Sequence, residues 1–392
     1  MEPTRPDALT WDPHGAPAIA TPEAHALAVR ERRLALWGLV AAKLVSGWGV
    51  QWDIRWHVLI GRDSFWIGPH LLTYAGVTLA VLLSFGVLAR ETWRGHAPGA
   101  AASDTVRILG LRGTLGFHLA AWGIGLTVLA APVDDLWHRL FGLDVTLWSP
   151  PHLLGILGAA VNTLACLRIA GEVYPPGSRA RLAALVVAGA LLYGNLHLLV
   201  EPSGRIAYLY GGVRFYTYAI LSAGLLAPAL LVAARLAGRR EAPVAVLLVL
   251  LLVGQLGRQV EEVGFAWLRP VSVIAEAIAK DPTSPIAVAH EIARKNGTSP
   301  GRPASALPLL LLGAGAVMAA LDARRRPGPA ALGYALGLFA VTAVLLGTRP
   351  AFRPLVPGLW DTAVALAVTA AAAWLSAEAA RRLGAWLAPE AT

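Results

Sequence analysis

Apolar runs close to 20 residues recur from one end of this chain to the other, and that pattern decides its fold class. A segment of about 20 apolar residues spans a bilayer as a helix. In hydrocarbon every backbone polar group must find its partner within the protein, so serial runs of this kind fold as packed helices. Ten spans are expected, at about 35–56, 70–90, 113–132, 152–171, 180–199, 213–236, 243–262, 306–322, 329–347 and 362–380. An apolar content of 56% with 15% charge leaves too little polar surface for a soluble domain of 392 residues. The expected class is an all-α integral membrane protein of tandem helical hairpins.

Charge then orients the chain. Arg30, Arg32 and Arg33 precede the first span, and Arg90, Arg94, Arg107 and Arg112 lie between the second and third. Arg168, Arg179 and Arg181 flank the next such connection, followed by Arg235, Arg239 and Arg240, then Arg324, Arg325 and Arg326, then Arg381 and Arg382. Arginine thus marks alternate connections, which the positive-inside rule places in the cytoplasm, with both termini. The net charge of +9 is therefore topological and implies no nucleic acid. Residues 1–30 are polar, without an apolar signal core, and read as a cytoplasmic tail. Residues 31–240 form six spans, and 241–392 add four more with a long outer connection at 263–305. The partner so implied is a lipid bilayer, of the bacterial inner-membrane type.

Within the first six spans one stretch occurs twice. Residues 53–72 read DIRWHVLIGRDSFWIGPHLL and residues 134–154 read DDLWHRLFGLDVTLWSPPHLL. Asp53, His57 and His70 align with Asp134, His138 and His152, and both copies are expected on the extracytoplasmic side. Aspartate and histidine four apart stack on one helix face. Pro69 and Pro151, tolerated at a helix start, aim the second histidine back at that face. Each hairpin thus offers one carboxylate and two imidazoles, a metal donor set with open positions. Copper, zinc and non-haem iron all suit it. Whether there are two mononuclear sites or one dinuclear site is open, as is the alternative that these groups are helix caps and surface ion pairs. Asp63 and Asp144 sit in Gly-x-Asp turns, where bonding to local backbone is the ordinary role and support of a ligand the other.

The second copy resembles the metal-binding region of the C subunit of the copper membrane monooxygenases, which oxidise methane and ammonia. That family carries a D-x3-H-x12-H motif with tryptophan before the first histidine, as Trp56 and Trp137 stand here, and proline shortly before the second. Its later motif begins with asparagine where this chain has Asp134. The resemblance covers the first six spans and implies a copper site, oxidation of a small apolar substrate, and further membrane subunits as partners. The extra spans and the missing soluble cupredoxin-like part are departures from it. Two other classes stand beside this expectation: a metal or small-molecule transporter, and a non-catalytic assembly subunit.

Other polar residues have blander readings. His197 and Glu201, followed by a turn at Pro202, Ser203 and Gly204, resemble a degenerate third copy or a structural polar pair. Lys43 is expected to snorkel to the inner interface, and His118 and Asn162 to bond neighbouring helices. Arg258 is placed to pair with Glu261 or Glu262. Trp48, Trp52, Trp56, Trp66, Trp137 and Trp148 fit an interfacial belt. The outer connection is expected to form short amphipathic helices, with His290 and Glu291 on a solvated face. Cys166 is the single cysteine, so no disulfide and no thiolate cage is expected.

Overall fold

The computed structural model describes residues 22–61, 64–95, 104–141, 147–297, 299–300, 307–349 and 352–388. Its helices are α1 (Pro22–Leu59), α2 (Gly68–Arg94), α3 (Leu115–Phe141), α4 (Pro150–Val173), α5 (Arg179–Ala207), α6 (Thr217–Leu221) and α7 (Ala227–Ala237). They continue as α8 (Ala242–Leu268), α9 (Ile274–Lys280), α10 (Pro285–Asn296), α11 (Leu307–Ala320), α12 (Pro327–Gly347) and α13 (Leu359–Leu387). A two-stranded antiparallel hairpin, β1 (Val106–Ile108) with β2 (Leu111–Gly113), joins α2 to α3.

Among the described residues nine helical segments are long and apolar enough to cross a membrane. The chain is an all-α membrane protein. Nine of the ten expected spans have such a helix. The eighth is the shorter apolar helix α11, of 14 residues, or about 21 Å at 1.5 Å per residue. Helix α1 begins at Pro22, inside the segment expected as a tail. A π-helical turn at Ser222–Leu226 joins α6 to α7.

The duplication in the sequence is a duplication in packing. Helices α1 and α2 form one antiparallel hairpin, α3 and α4 the next. A methyl group added at Gly76 of α2 would lie 2.5 Å from both Ala42 O and Ser46 N of α1. One added at Gly158 of α4 would lie 2.7 Å from Gly123 O and 2.6 Å from Thr127 N of α3. These are corresponding positions in the two copies, so both crossings close on a glycine notch at the same place. A turn nearer the motif, Gly49 faces Thr73 in the first hairpin and Ala130 faces Gly155 in the second. The glycine has changed helices and the contact has loosened: a methyl added at Gly49 would lie 2.6 Å from Thr73 N, one added at Gly155 an ordinary 3.5 Å from Ala130 Cβ.

The C-terminal helices share one continuous core with the first six. Helix α8 is fixed to α1 by Trp48 Nε1 donating to Val253 O at 3.0 Å. Arg55 and Glu261 form a second tie, with Glu261 fully buried. Arg258, expected to pair with Glu261 or Glu262, bonds Gln255. Trp52 and Trp56 are only 6% and 7% exposed and pack on Phe265 of α8. They are core residues, not interfacial ones, whereas Trp66 at 70% and Trp148 at 44% keep the exposure a belt requires.

Lys43 does not snorkel. It is 9% exposed and Nζ donates to Ala159 O of α4 at 3.2 Å. Helices α1 and α4 are tied at their arginine-rich end by Arg33 Nε to Val173 O, 2.8 Å. From that tie Lys43 lies about 15 Å along α1 and Ala159 about 21 Å along α4. Its nitrogen is thus held on a carbonyl inside the bundle and not at the surface.

Candidate metal centre

Each motif begins on the last turns of one helix and ends on the first turn of the next. Pro69 lies in the opening turn of α2, and Pro150 and Pro151 open α4. The fixed proline φ suits the first helical turn, where no N–H bond is lost. Gly61, with φ +74, turns the chain out of α1. Asp63 and Asp144 lie outside the described residues.

In the first hairpin Asp53 Oδ1 is 3.4 Å from His57 Nδ1 and 3.1 Å from His70 Nε2. In the second, Asp134 Oδ1 is 3.7 Å from His138 Nε2 and 3.6 Å from His152 Nε2. The six motif side chains thus meet in two groups of three, one per hairpin, with the carboxylate oxygen between the imidazoles. Asp53 Oδ1, Asp134 Oδ1 and His138 Nε2 are buried without a well-formed hydrogen bond. Buried polar atoms are nearly always bonded, and an orphaned one calls for a cause such as a ligand or an ion.

The geometry also shows what is not assembled. Among the described residues no three histidine, cysteine or acidic side chains surround a position that an ion could take as they stand. An ion bound at about 2.0–2.1 Å to two ligands at the tetrahedral angle keeps those atoms about 3.3 Å apart. In the first hairpin the Asp53 Oδ1–His70 Nε2 distance, 3.1 Å, is near that value. The same ion would hold two imidazole centroids about 5 Å apart, and those of His57 and His70 are 6.3 Å apart. The carboxylate fills the gap. His57 Nδ1–H also donates to Asp53 O at 3.0 Å, which places the ring lone pair on Nε2, the nitrogen a backbone-anchored histidine offers to a metal. To take an ion, the rings would have to close by about 1 Å and His57 would have to turn Nε2 toward the carboxylate.

Helices α9 and α10 lie over the end of α1. Ser272 Oγ donates to Leu59 O at 2.6 Å, Val273 N to Ile60 O at 2.9 Å, and His290 Nε2 to Val58 O at 2.8 Å. Late helical carbonyls lack intrahelical partners, and this connection supplies them beside the first triad. The expected short helices are present, but His290 is a docking residue and not part of a solvated face. Glu291 does face solvent, and its bonds to Arg294 hold its carboxyl below the usual range. A groove of about 660 Å³ in this cap is lined by residues such as Ile278, Pro282, His290 and Pro300 and by no motif residue.

No known protein family, curated protein or solved structure matches the chain. The site is therefore read from its own geometry.

Two further sequence readings resolve at backbone atoms. Asn162 Nδ2 donates to Ala120 O at 2.6 Å, binding α4 to α3. His118, expected to bond a neighbouring helix, instead has Nε2 on Val106 O of the β-hairpin at 3.3 Å. His197, in contrast, bonds Tyr218, and Pro202–Gly204 continue α5 rather than turning. Sequence reasoning did not single out Tyr193 and Tyr218, the two tyrosines that pack on His197. The i,i+4 pairing of Tyr193 with His197 was the signal available for the first.

Proposed function

We propose that this protein is a membrane metal protein in which each of the first two hairpins holds one ion, copper by preference, on one carboxylate and two imidazoles. Asp53, His57 and His70 would hold the first, and Asp134, His138 and His152 the second. The observation that carries this reading is the recurrence of a buried, poorly bonded aspartate oxygen within 3.1–3.7 Å of two histidines in both hairpins. Packing accounts for one such cluster; two at corresponding positions favour a shared ligand.

Two imidazoles and a carboxylate without thiolate suit copper by affinity order, and zinc or non-haem iron by donor type. The motif's resemblance to the copper membrane monooxygenase C subunit favours copper. Bound copper would supply oxygen and redox chemistry. The chain's own residues would anchor the imidazoles, exclude water with Trp52 and Trp56 beside the first site, and admit an apolar substrate from the bilayer. The activity proposed is oxidation of a small apolar molecule, by this chain or by a complex in which it is the metal-bearing subunit. With arginine on the cytoplasmic side, both triads face the extracytoplasmic side of a bacterial-type inner membrane.

A second reading has its own observation. The carboxylates stand between the imidazoles with no ion-sized gap, so the triads could tie helix ends together in an assembly subunit. Oxygen uptake separates the two. The copper-loaded protein in detergent, given ascorbate and a short-chain alkene, is expected to consume oxygen and yield oxidised alkene, and the zinc-loaded protein is not. Equal uptake and no product in both preparations would favour the assembly role.

A further inference from the structure

A third hairpin repeats the framework with different chemistry. On α5, Tyr193 precedes His197 by four residues, as Asp53 precedes His57 and Asp134 precedes His138. The third group again comes from the next long helical segment, but Tyr218 of α6 meets His197, the second residue of the pair, where His70 and His152 meet the first, their aspartates. Tyr218 Oη and His197 Nε2 are 3.2 Å apart, with the rings edge to face. The Tyr193 ring stacks on His197 at 5.9 Å, and its hydroxyl is 2.7 Å from that of Tyr334 on α12. Tyr193 and Tyr334 are fully buried. This cluster adjoins the second motif hairpin, since Asn195 Nδ2 donates to Ile156 O and Trp148 Nε1 to Ser203 Oγ.

We propose that the Tyr218–His197 pair is a one-electron redox site, in which oxidation of the phenol is coupled to transfer of its proton to the imidazole. A phenol removed from water cannot hold the positive charge left by a lost electron, because an unpaired buried charge is too costly. It needs a base at hydrogen-bond distance. The Tyr193–Tyr334 bond offers none, for its far end is another phenol, whose oxygen is a far weaker base than an imidazole nitrogen. In the step proposed, one electron leaves the Tyr218 ring for an outer-sphere oxidant, a trivalent transition-metal complex that is thereby reduced to the divalent state. The Oη–H bond breaks, an N–H bond forms at His197 Nε2, and the products are a neutral phenoxyl radical and an imidazolium. Reduction returns the electron and the proton. Glu201, one turn along α5 and electrostatically coupled to Tyr218, favours the imidazolium so formed. The site goes beyond the two metal triads and uses neither.

The test uses the full-length protein in detergent, stripped of metal by chelator, with photogenerated tris(bipyridine)ruthenium(III) as oxidant and freeze-trapping for electron paramagnetic resonance. A tyrosyl radical is expected in the unmodified protein and in Tyr210→Phe, which removes an exposed tyrosine. It is expected to be lost in Tyr218→Phe. Because that variant could misfold, the unmodified protein labelled with 15N-histidine gives a second readout, hyperfine coupling from an imidazole nitrogen. Absence of the radical, its persistence in folded Tyr218→Phe, or a radical without imidazole coupling would overturn the assignment.

Discussion

Lys43 poses the sharpest problem at the scale of single residues. Its ammonium is buried in the bundle, where its single described acceptor is Ala159 O. An intramembrane charge is costly unless it serves a purpose, and a buried charge replaced by an apolar side chain of similar size is often neutral or stabilising by about 1–4 kcal/mol. Lys43→Met is accordingly expected to keep or raise the thermal midpoint of the protein in detergent. A fall of several degrees would mean that the ammonium has a stabilising partner beyond that carbonyl. Residue identity alone did not reveal the direction of this side chain, since snorkelling depends on where the stem points. Nor did it reveal the Arg55–Glu261 tie, whose members are far apart in sequence. The triads themselves were legible, because a four-residue spacing on a helix and a proline at the next helix start are local rules.

At the scale of elements, the hairpins depend on glycine notches. Gly76 and Gly158 let α2 onto α1 and α4 onto α3 at backbone contact, a turn or two below the triads. Overpacking such a contact typically costs 1–3 kcal/mol. Gly76→Ala and Gly158→Ala are each expected to destabilise the protein by about 2 kcal/mol, read as a lower thermal midpoint. Gly86→Ala, which meets no atom within 4 Å, is expected to change little. Equal effects at all three positions would show that helix crossing does not set the hairpin. These notches were not legible beforehand, for a glycine acquires its role only from the residue opposite. The third hairpin was legible as a degenerate copy through His197 and Glu201, but its tyrosines were not: Tyr193 keeps the four-residue spacing without the motif's letter, and the chain between His197 and Tyr218 is longer than in either motif copy. The spans were easier to read because hydropathy over about 20 residues reflects a bulk property of the bilayer. The eighth, expected at 306–322, is the described helix α11 at Leu307–Ala320.

For the whole molecule, the two motif hairpins are equivalent in framework and unequal in surroundings. The first is covered by α8 and by the α9–α10 cap. In the second, the positions matching Arg55 and Ile60 are Leu136 and Phe141, 55% and 67% exposed. Orientation is the expectation that governs all of these surfaces, and it is open to direct measurement. In a Cys166→Ala background, Pro282→Cys in the cap is expected to react with a membrane-impermeant maleimide on intact cells, and Arg240→Cys to react only after lysis. The reverse pattern would place the triads in the cytoplasm.

The central claim is that each hairpin gathers one carboxylate and two imidazoles to hold an ion. Metal content per chain, measured by elemental analysis on the protein purified from membranes, tests it most directly when the unmodified chain is compared with His70→Ala/His152→Ala. The account predicts bound copper in the first and its loss in the second, with helical content by circular dichroism unchanged. Metal retained by the folded double variant, or a copper-loaded unmodified chain that holds none after dialysis, would contradict it.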